Sequence, residues 1–239
     1  MALTAVLFDL DGTLLPMDQD IFINAYFRGI AAKLAPMGYD PKELINAIWG
    51  GTIAMIKNNG EKNNEEVFWD YFCGIYGENA REDEPHFAAF YETEFQKVQE
   101  VCGFDPNAAK TVRSLKERGI RVILATNPIF PAIATQSRIR WAGMEPADFE
   151  LITTYENIGR SKPYPAYYEE ILRRQNLRAE ECLMVGNDVR DDMVAEKLGM
   201  KVFLLTDNLI NKADVDISVF PNGGFDQLQA YIDHLIQEN

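Results

Sequence analysis

Two carboxylates spaced two residues apart, Asp9 and Asp11, close a run of four apolar residues, Ala5-Val6-Leu7-Phe8, and lead into Gly12-Thr13. A short continuous apolar run predicts a strand buried on both faces. In extended backbone, residues i and i+2 point the same way, so Asp9 and Asp11 are expected to address one spot where the strand ends and Gly12 lets the chain turn. Two like charges held there repel each other and lose solvation. A divalent cation, a protonated partner or a nearby lysine would compensate.

Three more polar groups follow at comparable places. Thr126-Asn127 ends the apolar run from Val122 to Ala125, Lys162 stands in Ser161-Lys162-Pro163, and Asp188, Asp191 and Asp192 follow the run Cys182-Leu183-Met184-Val185. An oxygen-only donor set without clustered His or Cys suits a hard cation such as Mg²⁺, which also grips phosphate. One carboxylate can attack phosphorus, and a second can give a proton to the leaving alkoxide and later take one from water. A lysine and a hydroxyl can hold the transferring oxygens, where positioning and charge neutralisation supply most of the catalysis. Each motif also has a plainer reading. Thr126-Asn127-Pro128 makes an ordinary turn, Lys162 a solvated loop residue, and Asp188 to Asp192 acids favoured by a helix dipole. Asp9-x-Asp11-Gly12 could be a fragment of a calcium loop, although its glycine is misplaced and a strand precedes it where that motif has a helix. Their occurrence at successive strand ends argues for one shared site, because sites in parallel sheets form at the carboxyl edge.

The elements that must position these groups follow from periodicity. After Gly103, Asp105-Pro106 opens a helix ending at Gly119, and the run Arg121 to Leu124 reads as a strand. Helices are expected over about 131–141 and after Pro165, a strand at 182–185, a helix ending at Gly199, and a strand at 201–205. Alternating helices and continuous apolar strands mean a parallel sheet covered on both faces. Residues 17–102 instead read as helices rich in aromatics. Ile23, Phe27, Ile30 and Leu34 make one stripe, and Asp40-Pro41 looks like an N-cap with Pro in the first turn. Trp49-Gly50-Gly51-Thr52 is expected to interrupt or end the second helix, and Phe87, Phe90, Tyr91, Phe95 and Val98 to share one side of the fourth. The aromatics fit core packing of a bundle, or a pocket facing Asp9; spacing leaves both open. The organisation predicted is an α/β core of residues 1–15 and 104–239 with a helical insert, 16–103, between hinges near 15–18 and 102–105.

The chain has 239 residues and a formal net charge of −14, so nucleic-acid polymers and anionic membranes are repelled at long range. A small anion binds only where a metal or lysine reverses the sign. No apolar run is long enough to span a bilayer, and no secretory leader is recognisable. Cys73, Cys102 and Cys182 are odd in number and show no Cys-x-x-Cys, which fits a reducing cytoplasm. His86 and His234 do not make a zinc site or a convincing Ser-His-Asp triad. Neither a Gly-x-x-x-x-Gly-Lys nor a Gly-x-Gly-x-x-Gly loop is present.

Taken together, Asp9-Leu10-Asp11-Gly12-Thr13, Thr126-Asn127, Lys162 and the acidic run Gly186 to Asp192 resemble, in order, the four motifs of the haloacid dehalogenase superfamily. The resemblance implies a Rossmann-like parallel core with an inserted α-helical cap. It implies Asp9 as nucleophile and Asp11 as general acid/base, and a Mg²⁺ ion held by Asp9, the main-chain carbonyl of Asp11 and the acidic motif. Thr126 and Asn127 would contact phosphate, with Lys162 steadying its charge. The family often has Asp directly after the glycine of its fourth motif. Asn187 stands there, so Asp188 is the expected direct ligand, with Asp192 supporting it. The implied activity is a Mg²⁺-dependent phosphatase for a small phosphorylated metabolite. A phosphomutase shares all four motifs. A phosphonate hydrolase would need a cap lysine among Lys33, Lys42, Lys57, Lys62 and Lys97, and a dehalogenase would have no need of Asp11. A silent metal- or phosphate-binding module is the alternative outside enzymes. No cap motif names the substrate, although Trp49 to Thr52, Asn24 or Arg28 could reach it.

Overall fold

The computed structural model describes residues 3–237. Six strands, β1 (Ala5–Phe8), β2 (Arg121–Leu124), β3 (Leu151–Ile152), β4 (Cys182–Gly186), β5 (Lys201–Leu205) and β6 (Asn222–Gly223), form one sheet in the order β3-β2-β1-β4-β5-β6. Every adjacent pair is parallel. The chain builds outward from β1 through β2 to β3, then returns to add β4 on the other side of β1. That reversal is a switch point, where the loops leaving neighbouring strands diverge and open a crevice. Phe8 lies level with Leu124 and with Val185, so Asp9, Thr126 and Asn187 leave the sheet at one edge.

Alternation along the strands divides two cores. Val6, Phe8, Val122, Leu124, Leu183 and Val185 pack on one face with Val112 and Leu115 of α5 (Pro106–Glu117) and Leu228 and Ile232 of α8 (Phe225–Gln237). Ala5, Leu7, Ile123 and Met184 pack on the other with Tyr167, Tyr168 and Ile171 of α7 (Pro165–Gln175). With both faces covered, the strands can be apolar throughout, as their sequences predict. This is the Rossmann-like α/β core expected from the motifs.

Between β1 and β2 the chain forms α1 (Gln19–Leu34), α2 (Pro41–Ile56), α3 (Asn64–Tyr76) and α4 (Glu84–Glu92). Asp18 caps α1 by accepting from the Ile21 amide, Asp40 caps α2 with Pro41 at the first position, and Asn63 and Glu66 form a reciprocal capping box on α3. Where this segment leaves and rejoins the core, Met17 bridges Cys102 and the Gly103 amide donates to the Pro16 carbonyl at 2.7 Å.

Several expectations need correcting. Trp49-Gly50-Gly51-Thr52 neither ends nor interrupts α2, which runs through to Ile56. The glycines are there for helix packing: a Cβ at Gly51 would lie 2.7 Å from the buried Phe68 ring of α3. Gly51→Val should therefore overpack this contact and cost about 1–3 kcal/mol in thermal or denaturant unfolding; unchanged stability would show that α2 and α3 are not so closely apposed. The fourth helix stops at Glu92, and Phe95 and Val98 lie on a separate 3₁₀ stretch, Glu94–Val101. The helix expected up to Gly199 is a 3₁₀ turn, Met193–Leu198.

Candidate active site

Asp9 follows the last residue of β1, the strand between β2 and β4, with its main-chain amide bonded to the Val185 carbonyl. Its Oδ1 accepts from the Lys162 ammonium at 2.8 Å, and the same ammonium donates to Asp192 Oδ1 at 2.6 Å. All three side chains are buried, Lys162 to 98%. Burial works against the lysine's charge, but Asp192 and Asp9 together outweigh it and hold the ammonium well above its ordinary range. Burial pushes the Asp192 carboxyl up to about 7 even with Lys162 beside it, and Asp9 adds to the rise.

The loop after β4 is organised by its own acids. Asp192 Oδ2 accepts from the Asp188 amide, and Asp188 Oδ1 accepts from the amides of Arg190 and Asp191. Gly186 leaves the space that the Asp192 carboxylate fills, and Gly12, with φ of 81°, leaves room for the Asn187 amide. The Thr13 hydroxyl lies 3.2 Å from Asp9 Oδ2 and 3.0 Å from Asn187 Oδ1, which ties the first and fourth motifs together. The structure brings Asp192, rather than Asp188, against Asp9 and Lys162. Asp188 lines the same cavity with one oxygen engaged by backbone. Asp191 also lines it, its carboxyl raised to about 6 by burial and then by Asp188.

Thr126 is held at the end of β2 through its carbonyl, which accepts from the Tyr167 hydroxyl at 2.8 Å and from the Thr153 hydroxyl at 2.7 Å. It and Asn127 line the cavity, and Asn127 Oδ1 is buried without a partner. Asp11 has a partner that sequence reasoning missed. Arg138 of α6 (Ala132–Trp141), fully buried, forms an ion pair with Asp11 Oδ2 while its guanidinium lies 4.4 Å from the centre of the Phe130 ring. Burial raises the Asp11 carboxyl pKa despite Arg138, and Asp11 Oδ1 is left buried and unpartnered. The signal was present as helical phase: Arg138 follows the buried Ala134 by four residues, which puts a cation on the inward face. Asn64 was missed too. Fully buried at the start of α3, it donates to the Pro128 carbonyl and to the Ser161 hydroxyl, tying the helical segment to the loop before Lys162.

Asp9, Asp11, Thr126, Asn127, Lys162 and the acids of the loop after β4 open onto one cavity of about 1150 Å³. Phe22, Tyr26, Phe27, Trp49, Trp69 and Tyr91 line its far side, so part of the aromatic set faces the site and packs the bundle as well. Thr52 lines it too; Asn24 and Arg28 are not among the lining residues.

The donor chemistry fits a hard divalent cation. Asp9, Asp11, Asp188, Asp191 and Asp192 all line one cavity, the cations paired to them among the described residues are Lys162 and Arg138, and Asp11 Oδ1 has no partner. Among the described residues, no three His, Cys, Asp or Glu side chains are grouped so that they could hold a metal ion between them as they stand.

A family model for haloacid dehalogenase-like hydrolases matches residues 3–214. The chain belongs to this family. Among curated relatives, a ribulose-1,5-bisphosphate 5-phosphatase of Halopiger xanaduensis is 26% identical over 207 residues, covering 84% of each chain. A pyrophosphatase PpaX of Bacillus cereus is 23% identical over 215 residues, covering 89% of this chain and 88% of that one. The fold is shared with CbbY from Rhodobacter sphaeroides, solved in complex with phosphate, at a TM-score of 0.58, 18% identity and coverage of 97% and 100%.

Proposed function

We propose that this haloacid dehalogenase-like hydrolase is a Mg²⁺-dependent phosphatase that hydrolyses a small phosphorylated metabolite through an aspartyl-phosphate on Asp9. The observation that carries this reading is the Asp9–Lys162–Asp192 cluster, buried at the carboxyl edge and open to the cavity. Relatives named as phosphatases support it.

In the proposed scheme Asp9 attacks phosphorus and the bond to the leaving oxygen breaks. Lys162 holds the Asp9 carboxylate in place and steadies charge on the phosphoryl oxygens, and the Thr126 hydroxyl and Asn127 side chain receive those oxygens. Asp11 gives the leaving alkoxide its proton, then takes one from the water that cleaves the aspartyl-phosphate. Bound among Asp9, the Asp11 carbonyl and the Asp188 and Asp192 loop, Mg²⁺ would neutralise phosphoryl charge in an otherwise acidic pocket. Residues 16–103 act as a cap on the core of 1–15 and 104–239, with the Met17–Cys102 crossing as hinge. A cytoplasmic location accords with three unpaired cysteines, and no described helix is long and apolar enough to cross a membrane.

Chelation with EDTA should abolish turnover of a generic phosphate ester, and added Mg²⁺ should restore it. Full activity after exhaustive chelation would overturn the metal requirement. Arg138 fixes the Asp11 carboxylate in this scheme. Arg138→Met is expected to lower kcat on the order of 100-fold with alkyl phosphates, and less with p-nitrophenyl phosphate, whose leaving group needs little protonation. Equal losses with both substrates would show that Arg138 does not serve proton transfer.

A further inference from the structure

Building on the phosphatase reading, we infer the class of substrate from the walls of the cavity: a phosphate monoester whose alcohol portion is bulky and apolar and carries no second anionic group. Four helices of the inserted segment contribute rings to the wall, among them Phe22, Tyr26, Trp49, Phe68, Trp69 and Phe87. No lysine, arginine or histidine of residues 16–103 lines it, and the charged side chain they do contribute is Glu84. From the core side Glu156 lines the same cavity, with Oε1 accepting from the Ala132 amide and Oε2 buried and unpartnered.

A second phosphate or a carboxylate placed under the helices would lose its hydration and meet Glu84 and Glu156, and the cation beside Glu84, Arg81, does not line the cavity and is already paired with Glu65 and Glu84. The lysine that is buried, Lys162, is taken by Asp9 and Asp192. The other cations lining the cavity, Arg190, Lys197 and Lys212, are exposed residues of the core rather than of the inserted helices. Rings and aliphatic side chains such as Ile23, Ile48 and Met55 instead favour an apolar body, and a cavity of about 1150 Å³ holds one larger than a two- or three-carbon acid.

The test is a series of alkyl-alcohol phosphates, which keeps leaving-group chemistry nearly constant: ethyl, butyl, hexyl and 2-phenylethyl phosphate, against phosphoglycolate and a 1,3-propanediol bisphosphate. Specificity, as kcat/KM, should rise about threefold to fourfold per added buried methylene, with 2-phenylethyl phosphate at least tenfold better than either probe carrying a second anionic group. Ile23→Lys, placing a cation on the half-buried wall of α1, should reduce the preference for 2-phenylethyl phosphate over phosphoglycolate at least tenfold while circular dichroism confirms folding. A flat series, phosphoglycolate or the bisphosphate as the better substrate, or an unmoved ratio in the folded variant would overturn the assignment. Turnover of any of these esters, abolished by Asp9→Asn, leaves the phosphatase reading standing, so the two failures are distinguishable.

Discussion

Asp9→Asn should abolish turnover, with kcat reduced on the order of 1,000-fold or more, while the protein stays folded. Asp9 sits 2.8 Å from the Lys162 ammonium and faces the cavity from the end of the central strand. An amide keeps the shape and still accepts from Lys162 through its oxygen, but it cannot supply the anionic nucleophile. The same change removes one negative charge from a cluster with more carboxylates than cations, so thermal stability should hold or rise. Steady-state assay with several phosphate esters, beside a melting curve, checks both halves. Turnover within tenfold of the parent enzyme would show that Asp9 does not form a covalent intermediate.

Lys162→Met is the second large expectation, and it concerns folding as much as chemistry. Removing one partner of a buried ion pair leaves an uncompensated charge and typically costs about 3–5 kcal/mol. Here one ammonium serves two carboxylates, Asp9 and Asp192, both buried. In a chain of this size that loss lowers Tm by roughly 10 °C. Adding Asp192→Asn should restore part of the stability, because the second stranded charge is gone, without restoring activity. Equal melting temperatures for single and double variants would mean that Lys162 and Asp192 are not energetically coupled.

The parts of the fold legible from sequence are those written locally. β1, β2, β4 and β5 show as apolar runs because both faces of the sheet are covered, and Asp40 and Asp105 are caps whose chemistry acts within three residues. The strand ends carrying Asp9, Thr126 and Asn187 could be aligned because a parallel sheet puts them at one edge. What escaped depends on distant partners. Gly50-Gly51 reads as a helix break until α3 is known to lie against it, and β3 and β6, two residues each, are too short to leave a period. Asn64 looks like an ordinary helix residue and helical phase gives for Arg138 no more than an inward-facing cation, since their partners Asp11, Pro128 and Ser161 lie 64 to 127 positions away. Within the acidic run, the family resemblance implies Asp188 as the direct metal ligand with Asp192 supporting it. The turn of the loop spends Asp188 on its own backbone and sends Asp192 inward to Lys162.

Rapid acid quench of the Mg²⁺-loaded enzyme during turnover of a phosphate ester, followed by peptide mass analysis, tests covalent catalysis most directly. One acid-stable, hydroxylamine-labile phosphoryl group on the peptide carrying Asp9, absent from Asp9→Asn, is the expected result. Steady turnover with an unmodified Asp9 peptide at every quench time, and a phosphoryl group on no other residue, would contradict it.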